Sequence, residues 1–366
     1  AKHVVYALER QGFVRPHLAD ENDKRTIYLV DMHEPLMFLH NLETTIKEPF
    51  ASNPAVLRAI EKNHKKLQIA MTKLYPGNLV LSLSSGVMHH RLVDRITSLN
   101  DVPREPLVPR RLGKNMCVPF GKILRGKVVP NTVTKTLHTD KVYEPDLESY
   151  TIEPFPYYSP LNSQIETIRS FDRPVILVDD LVHKADRLRV LVPKLRETGI
   201  PIKKVVVGVL SGYGRDLMQQ LKVPVESIYS MPNVRQWFVE STLYPFIGGD
   251  TVRREEMKVA GLQPSINMIL PYATPRLSGC SREALVEFSA CCIENSRDLL
   301  QVLEAEYRKQ YAKNLTLSRL SEAVILPLCP DKGSCMEYDE NLAASVYLEN
   351  DLEMLQRMRK FMVTIQ

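Results

Sequence analysis

Two adjacent acids, Asp179 and Asp180, are the residues whose type and setting most strongly indicate chemistry. They directly follow an apolar run at 175–178 that predicts a buried strand. Ligands of open α/β sheets bind just beyond the carboxyl ends of such strands, and a carboxylate accepts hydrogen bonds from hydroxyl groups. The pair therefore predicts a site for a hydroxyl-bearing ligand. The alternative interpretation is that the two acids cap the following helix and bind no ligand.

The elements around the acidic pair predict how it is held. Further apolar runs at 79–83 and 205–210 have the composition of buried strands, and helices are predicted at 89–97, 185–198 and 213–221. Buried strands that alternate with helices are typical of a parallel sheet covered by helices on both faces. We therefore expect an α/β fold built on such a sheet.

The rest of the chain predicts further helices and three regions. Ser52-Asn53-Pro54 is a helix start, because a capping side chain precedes Pro at the first helical position. Additional helices are expected at roughly 282–311, 317–325 and 340–363. The chain is accordingly divided into an N-terminal α/β segment, a central α/β domain and a C-terminal helical region, at 1–75, 76–275 and 276–366.

The stretch from Pro174 to Leu188 resembles the phosphoribosyl-diphosphate (PRPP) motif of the type I phosphoribosyltransferases, in which a buried strand ends in two acids. The resemblance implies a phosphoribosyltransferase-like fold in which Asp179 and Asp180 bind the ribose hydroxyls of PRPP. It also implies that the following loop binds the 5′-phosphate, and that Mg²⁺ is bound mainly through the diphosphate and waters. The loop residues that would bind ligand in this chain are His183, Lys184 and Arg187.

This loop differs from the family pattern in composition. The family's loop is rich in Thr and Gly, whereas residues His183 to Arg187 read His-Lys-Ala-Asp-Arg. Without glycine the backbone approaches a phosphate less closely, and Asp186 adds a negative charge. Lys184 and Arg187 supply cationic donors instead. The ribose-binding half of the motif is therefore retained, and the phosphate-binding half is altered.

Two other segments occur where the family would need them. The strand at 79–83 and the turn Ser84-Ser85-Gly86 are similar to the strand and small turn that hold the diphosphate, and such a turn offers backbone N–H groups to an anion. The basic, irregular stretch 104–135 is in the position of the loop that closes over the diphosphate, and its candidates are Lys122, Arg125 and Lys127. An ordinary strand-to-helix turn and a solvated charged loop are the alternative interpretations.

The resemblance implies transfer of ribose 5-phosphate from PRPP to a base or small nucleophile. The alternative is a binding module without catalysis, which senses PRPP or a nucleotide or serves as a scaffold. A hydrolase acting on a ribosyl phosphate is a third hypothesis. The expected partner is a small phosphoribosyl or nucleotide ligand, and a homodimer is left open. A net charge of only +5 does not point to nucleic acid.

Composition predicts the cellular setting. The six cysteines are sparse for 366 residues and form no CxxC pair, which argues against a disulfide framework or a zinc site and favours a reducing cytoplasm. No apolar run approaches the roughly 20 residues that span a bilayer. His89 and His90 are adjacent on a predicted helix and face different ways, so they are not expected to share a metal ion.

The start of the chain suggests a longer protein. The sequence has no initiator Met and opens inside a predicted helix at 2–10, so we expect it to be the C-terminal part of a larger chain. The first 32 residues, with Leu8-Glu9-Arg10-Gln11-Gly12-Phe13 before a strand, faintly resemble the end of a GNAT acetyltransferase.

Overall fold

The computed structural model describes residues 27–28, 34–100, 112–254, 259, 261–275, 277, 279–331 and 338–364. The helix predicted at 2–10 and nearly all of the acetyltransferase-like tail lie outside these residues. So does the first part of the basic stretch, up to residue 111. Among the described residues, none of the helices combines the length and the hydropathy needed to cross a membrane.

Fourteen strands and seven α-helices are assigned within the described residues. The strands are β1 Ile27–Tyr28, β2 Leu36–His40, β3 Val80–Ser84, β4 Met116–Pro119, β5 Val133–Thr134, β6 Thr139–Tyr143, β7 Tyr150–Pro154, β8 Val175–Val182, β9 Ile202–Ser211, β10 Val225–Met231, β11 Gln236–Val239, β12 Asp250–Val252, β13 Gln263–Ile266 and β14 Leu328–Pro330. The helices are α1 Pro54–Leu74, α2 Ser85–Leu99, α3 Leu161–Arg169, α4 Asp186–Glu197, α5 Gly212–Gln220, α6 Arg282–Tyr311 and α7 Ala344–Thr364. Short 3₁₀ helices occupy Leu42–Thr45, Glu240–Leu243 and Leu317–Glu322.

The chain folds into two compact units, each made of three separate segments. The first unit comprises 1–35, 83–141 and 151–235, and the second comprises 36–82, 142–150 and 236–366. The chain passes between units before β2, within β3, within β6, at the start of β7 and before β11. This grouping differs from the linear division expected from the sequence, because α1 packs with α6 and α6 packs with α7 in the second unit, although α1 is far from both in sequence.

A six-stranded sheet of order β1-β10-β9-β8-β4-β5 organises the first unit. Every neighbouring pair in it is parallel. The strand β8 lies inside the sheet, and its apolar residues 175–178 are all fully buried. Because successive residues of a strand point to opposite faces, this continuous burial means that both faces are covered. The α/β class predicted from the sequence is confirmed, as are the additional C-terminal helices.

Two parts of the sequence prediction are corrected by the sheets. The run predicted at 79–83 is β3, but it belongs to a three-stranded sheet of order β11-β2-β3 and not to the sheet that contains β8. The stretch at 104–135, expected to be irregular, contains β4 and β5, and both belong to the six-stranded sheet. The short apolar run at 116–120 is the signal that could have identified β4.

The second unit buries a large apolar core around its helices. Core residues come from α1, α6 and α7 and from the strands β2 and β11. The start of α1 is confirmed in detail, since Asn53 Oδ1 accepts hydrogen bonds from the N–H groups of Ala55 at 2.8 Å and Val56 at 3.4 Å. The helix α6 matches the range expected from its periodicity, whereas the helix expected at 317–325 is a shorter 3₁₀ helix. A five-stranded sheet of order β14-β13-β12-β6-β7 completes the fold.

Gly208 in β9 is the point at which α2 packs onto the six-stranded sheet. A Cβ at this position would lie 2.1 Å from Met88 Sδ and 2.7 Å from the carbonyl oxygen of Asp180, which is backbone and cannot move freely. We expect Gly208→Ala to lower the free energy of unfolding by about 1–3 kcal/mol, because overpacking forces the helix away from the sheet. Denaturant-induced unfolding followed by circular dichroism measures this change.

The matched control for that substitution is Gly86→Ala in the first turn of α2. The nearest atom to its added Cβ is Ser84 Oγ, at 3.7 Å. Alanine also has the better helix propensity, so stability should be unchanged or slightly raised. Equal destabilisation by both substitutions would contradict the packing of α2 on Gly208.

Candidate functional site

The acidic pair lies inside strand β8 and not beyond its end. Asp179 and Asp180 are the fifth and sixth of its eight residues. The sequence prediction ended the strand at residue 178. The strand continues because Leu181 and Val182 keep their parallel register with β9, opposite Val209 and Leu210.

The half-exposed carboxylate of Asp180 is bound by a histidine from helix α2. His89 Nε2 lies 2.8 Å from Asp180 Oδ1, and since a carboxylate only accepts hydrogen bonds, the Nε2–H donates. The His89 side chain is 6% exposed and that of Asp180 is 30% exposed. His89 was not among the predicted site residues, because its partner lies 91 residues away in sequence.

The carboxylate of Asp179 is buried and has a different partner, the cationic Arg187. Its Oδ1 accepts the N–H of Asp180 at 2.9 Å and lies 3.6 Å from Nη1 of Arg187 in helix α4. Burial raises the pKa of Asp179 to about 6, and the Asp180 charge acts in the same direction, while Arg187 and the amide hydrogen bond oppose the rise. Asp179 therefore changes its protonation state near pH 6.

The two acids consequently serve opposite faces of the sheet. Neighbouring residues of a strand point to opposite sides, and the partners reflect this, with His89 on α2 for one acid and Arg187 on α4 for the other. The helices α2 and α4 therefore cover different faces of β8. That both carboxylates bind the hydroxyls of one ribose therefore stays a prediction.

The loop after the strand is held by its own polar contacts. His183 Nδ1 lies 2.8 Å from Ser211 Oγ, and burial lowers the pKa of this histidine. Asp186 Oδ2 lies 2.6 Å from Lys141 Nζ, so the acid expected to repel a phosphate has a cationic partner. Lys184 is exposed.

Ala185 adopts the left-handed conformation that glycine favours. Its φ is +54°, it is buried, and it precedes α4 without a capping side chain. For a residue with a Cβ this conformation is strained. The loop therefore takes the backbone shape associated with glycine although the sequence lacks one here.

A second strand-to-helix turn lies next to the loop and was missed by sequence reasoning. Ser211 ends β9 and its Oγ accepts the N–H of Gly214 at 3.0 Å, which caps α5. A Cβ on Gly214 would lie 2.1 Å from the carbonyl oxygen of Val182, so only glycine allows α5 to approach β8 this closely. The signal in the sequence was Ser-Gly-Tyr-Gly at 211–214, directly after a buried strand.

The basic residues after β4 are presented on consecutive tight turns. The residues Ile123 and Leu124 are buried and anchor these turns, while Lys122, Arg125 and Lys127 are exposed. The turns begin beside Arg187, the partner of Asp179, since a Cβ on Gly121 would lie 3.8 Å from Arg187 Nη1.

The pKa of Lys122 also indicates that these turns lie near Arg187. Desolvation of its amino group lowers the pKa of Lys122 although the residue as a whole is exposed, and the nearby Arg125 and Arg187 charges act in the same direction. Asp140 opposes them. The charges of Arg125, after β4, and of Arg187, in α4, therefore both act on Lys122.

The turn Ser84-Ser85-Gly86 is the start of helix α2. The Ser84 hydroxyl accepts the N–H of Val87 at 3.5 Å and Ser85 is buried, so the two serines differ in accessibility. The turn precedes His89 by about one helical turn. It therefore belongs to the helix that reaches Asp180, although the strand before it is in another sheet.

Comparisons with known proteins give only weak similarities. No family model and no curated protein matches the chain. A purine phosphoribosyltransferase from Pyrococcus horikoshii Ot3 is similar over 42% of this chain and 86% of its own, with 11% identity and a TM-score of 0.25. The AQ2163 protein from Aquifex aeolicus is similar over 48% of this chain and 85% of its own, with 19% identity and a TM-score of 0.28. At such TM-scores neither similarity supports an argument, and the acetyltransferase-like tail finds no support.

The raised pKa of Asp179 predicts a pH-dependent stability. Its carboxyl binds a proton more tightly in the folded chain, at about 6, than in an unfolded chain, at 3.8, so stability falls as the pH rises through this window. At about 1.4 kcal/mol per pKa unit, the loss is on the order of 2–3 kcal/mol. We expect Asp179→Asn to remove this component, measured as the difference in unfolding free energy between wild type and variant from pH 4 to pH 8. A difference that does not change with pH would contradict the assignment.

The strained conformation of Ala185 predicts a stabilising substitution. Ala185→Gly should raise the free energy of unfolding by about 0.5–1 kcal/mol, because relief of the left-handed strain exceeds the added entropy of the unfolded chain. Ala290→Gly, inside helix α6, is the control and should lower it by about 1 kcal/mol. Destabilisation by both substitutions in denaturant unfolding would show that residue 185 does not hold a positive φ.

Proposed function

We propose that the carboxyl edge of the six-stranded sheet binds a phosphorylated ribose ligand, with PRPP as the first candidate. The observation that carries the proposal is the half-exposed carboxylate of Asp180, which lies one residue from the acid beside Arg187. A carboxylate suits ribose hydroxyls, and a guanidinium suits phosphate oxygens. The two chemistries that such a ligand requires are therefore supplied at neighbouring positions of β8, one on each face of the sheet.

The two acids have different roles in this proposal. His89 occupies Oδ1 of Asp180, so Oδ2 is the atom that would accept a hydrogen bond from a ribose hydroxyl. Asp179 is buried beside Arg187 and would orient its guanidinium. The phosphate and diphosphate groups would then meet Arg187, Lys122 and Arg125, with Lys127 and Lys184 as exposed cations further out.

Magnesium fits this arrangement through the ligand more than through the protein. Mg²⁺ prefers hard oxygen ligands and keeps several waters, and the accessible carboxylate of Asp180 can accept a hydrogen bond from such a water. When bound, the ion would neutralise charge on the diphosphate. Asp179 is a poor candidate for direct ligation, because it is buried and lies beside Arg187.

If the site is catalytic, the reaction is transfer of ribose 5-phosphate to a base or small nucleophile. The bond between ribose C1 and the diphosphate oxygen breaks, and a new bond forms between C1 and the nucleophile, which gives up a proton. Positioning of the ribose by Asp180 and neutralisation of the leaving diphosphate by Lys122, Arg125 and Arg187 are the contributions of this chain.

Binding without transfer is the second candidate function, and a specific observation favours it. Asp179 and Asp180 already have partners supplied by the protein, Arg187 and His89, and the loop between β8 and α4 carries a strained alanine at φ +54°. Both features suit a preformed site that holds its shape as a sensor or scaffold. The reaction and the binding role share the same ligand and differ in whether diphosphate is released.

The binding proposal is tested by calorimetry with PRPP, with and without Mg²⁺. We expect Asp180→Asn to weaken binding roughly ten- to hundredfold, since a hydrogen bond to a charged group contributes about 1.5–3 kcal/mol. The fold should persist, because asparagine Oδ1 can still accept from His89. Asp172→Asn, an exposed acid before the amino end of β8, is the matched control and should leave the affinity unchanged.

The affinities decide whether the proposed site binds PRPP, and diphosphate release decides between a transferase and a binding module. Equal PRPP affinity in wild type and Asp180→Asn, or no binding by the wild type, would overturn the proposed site. Where PRPP binds, release of diphosphate on adding candidate bases identifies a transferase, and its absence across those bases favours the binding module.

A further inference from the structure

A cluster of two histidines and one glutamate is buried in the second unit, independent of the proposed phosphoribosyl site. The three residues are His40, His64 and Glu240, and their candidate ligand atoms all lie within 4.8 Å of one another. They come from the end of β2, the middle of α1 and the start of the 3₁₀ helix at Glu240–Leu243. Sequence analysis did not find them, because they are spread over 200 residues.

The register of a parallel strand pair places two of these residues side by side. The strands β2 and β11 pair in parallel, with Leu39 opposite Val239. The residue after Leu39 is His40, and the residue after Val239 is Glu240. His40 Nδ1 lies 3.2 Å from Glu240 Oε2. The pairing of backbones therefore fixes the histidine against the carboxylate.

The residues that follow these two lock the same junction. Asn41 Nδ2 donates to Ser241 Oγ at 2.9 Å, and the N–H of Ser241 donates to Asn41 Oδ1 at 2.9 Å. This reciprocal pair holds the chain directly after each candidate ligand. Such support from neighbouring hydrogen bonds is what orients metal ligands in proteins.

The third residue also lies against the carboxylate, but not in hydrogen-bonding geometry. His64 Nε2 lies 2.6 Å from Glu240 Oε2, yet this buried nitrogen makes no hydrogen bond of acceptable geometry within the described part of the chain. The rings of His40 and His64 have centroids 4.1 Å apart. Two imidazole nitrogens and one carboxylate oxygen thus converge on a common point.

Burial makes this convergence costly unless a cation is present. The side chain of Glu240 is fully buried, and those of His40 and His64 are 12% and 20% exposed. The second oxygen of the carboxylate, Oε1, accepts the Tyr244 hydroxyl at 3.3 Å. An ionised carboxylate in such a place needs a positive partner.

We propose that His40, His64 and Glu240 bind a divalent transition-metal ion of the Zn²⁺ class. Two imidazoles and one carboxylate are a ligand set typical of Zn²⁺, and metal–ligand distances of about 2.0–2.2 Å place ligand atoms of a tetrahedral site about 3.4 Å apart. The 3.2 Å separation of His40 Nδ1 and Glu240 Oε2 is close to that value. The 2.6 Å between His64 Nε2 and Glu240 Oε2 is shorter, so metal binding requires these two side chains to move apart by a fraction of an ångström. Three protein ligands leave a fourth position for water or another small ligand.

The competing explanation needs no metal. Protonated histidines could neutralise Glu240 as a hydrogen-bonded cluster, with Gln68 completing it from the next turn of α1, where its Nε2 lies 3.5 Å from His40 Nε2. The two explanations differ in one measurable property. A metal site takes up one equivalent of Zn²⁺ and depends on both histidines, whereas a charge cluster does not.

The test uses the full chain, stripped with a chelator and titrated with Zn²⁺ alone by calorimetry. We expect one equivalent per chain, and an affinity at least about tenfold weaker in His64→Gln and in His40→Gln. The matched control is His90→Gln, whose side chain is 79% exposed on α2, and it should bind as the wild type does. Added Zn²⁺ should raise the unfolding temperature of the wild type and the control but not of the two variants.

Glutamine keeps an amide that can donate to Glu240, so both variants are expected to fold, and circular dichroism checks this. If either variant is unfolded, Co²⁺ in the wild type decides the matter. Visible absorption bands of a tetrahedral ion that are lost on adding Zn²⁺ would support the site. Featureless Co²⁺ spectra, no Zn²⁺ uptake by the wild type, or equal Zn²⁺ affinity in folded His64→Gln would overturn the proposal.

Discussion

The burial of a carboxylate in the central strand β8 is the constraint on which the first unit depends. Asp179 lies in a strand that pairs on both sides and is covered on both faces. Taking a charge out of water there costs several kcal/mol unless a partner is supplied. The strand's twofold periodicity then sends the neighbouring Asp180 to the other face, so its partner comes from a different helix.

Those partners explain why the surrounding elements lie where they do. His89 brings helix α2 to one face of β8, and Arg187 brings helix α4 to the other. Gly208 lets α2 approach the sheet, and Gly214 lets α5 approach β8. The loop after β8 is tied at both ends, by His183 to Ser211 and by Asp186 to Lys141. Both acids of the candidate site thus have partners from the protein before any ligand arrives.

The second unit also buries a carboxylate, which likewise needs a partner, but its neighbours are of a different kind. Glu240 is fully buried, and the groups around it are two imidazoles and a phenol hydroxyl and not a guanidinium. Imidazole nitrogens can either carry a proton or bind a metal ion. That chemistry distinguishes the cluster of His40, His64 and Glu240 from the acidic pair of β8, where an arginine lies beside the buried acid.

Local sequence determined the elements whose signals are contained in a few neighbouring residues. The buried run at 175–178, the helix start at Asn53-Pro54 and the 30-residue helix α6 all follow from periodicity and capping, and the alternation of strands with helices predicted the parallel sheet. Tertiary structure alone decided which strands share a sheet. The apolar run of β3 resembles that of β8 in composition, but β3 pairs in a different sheet. Tertiary structure also decided the partners of each acid and brought His40 to Glu240, because such pairings depend on strand register and helix placement between residues far apart in the chain.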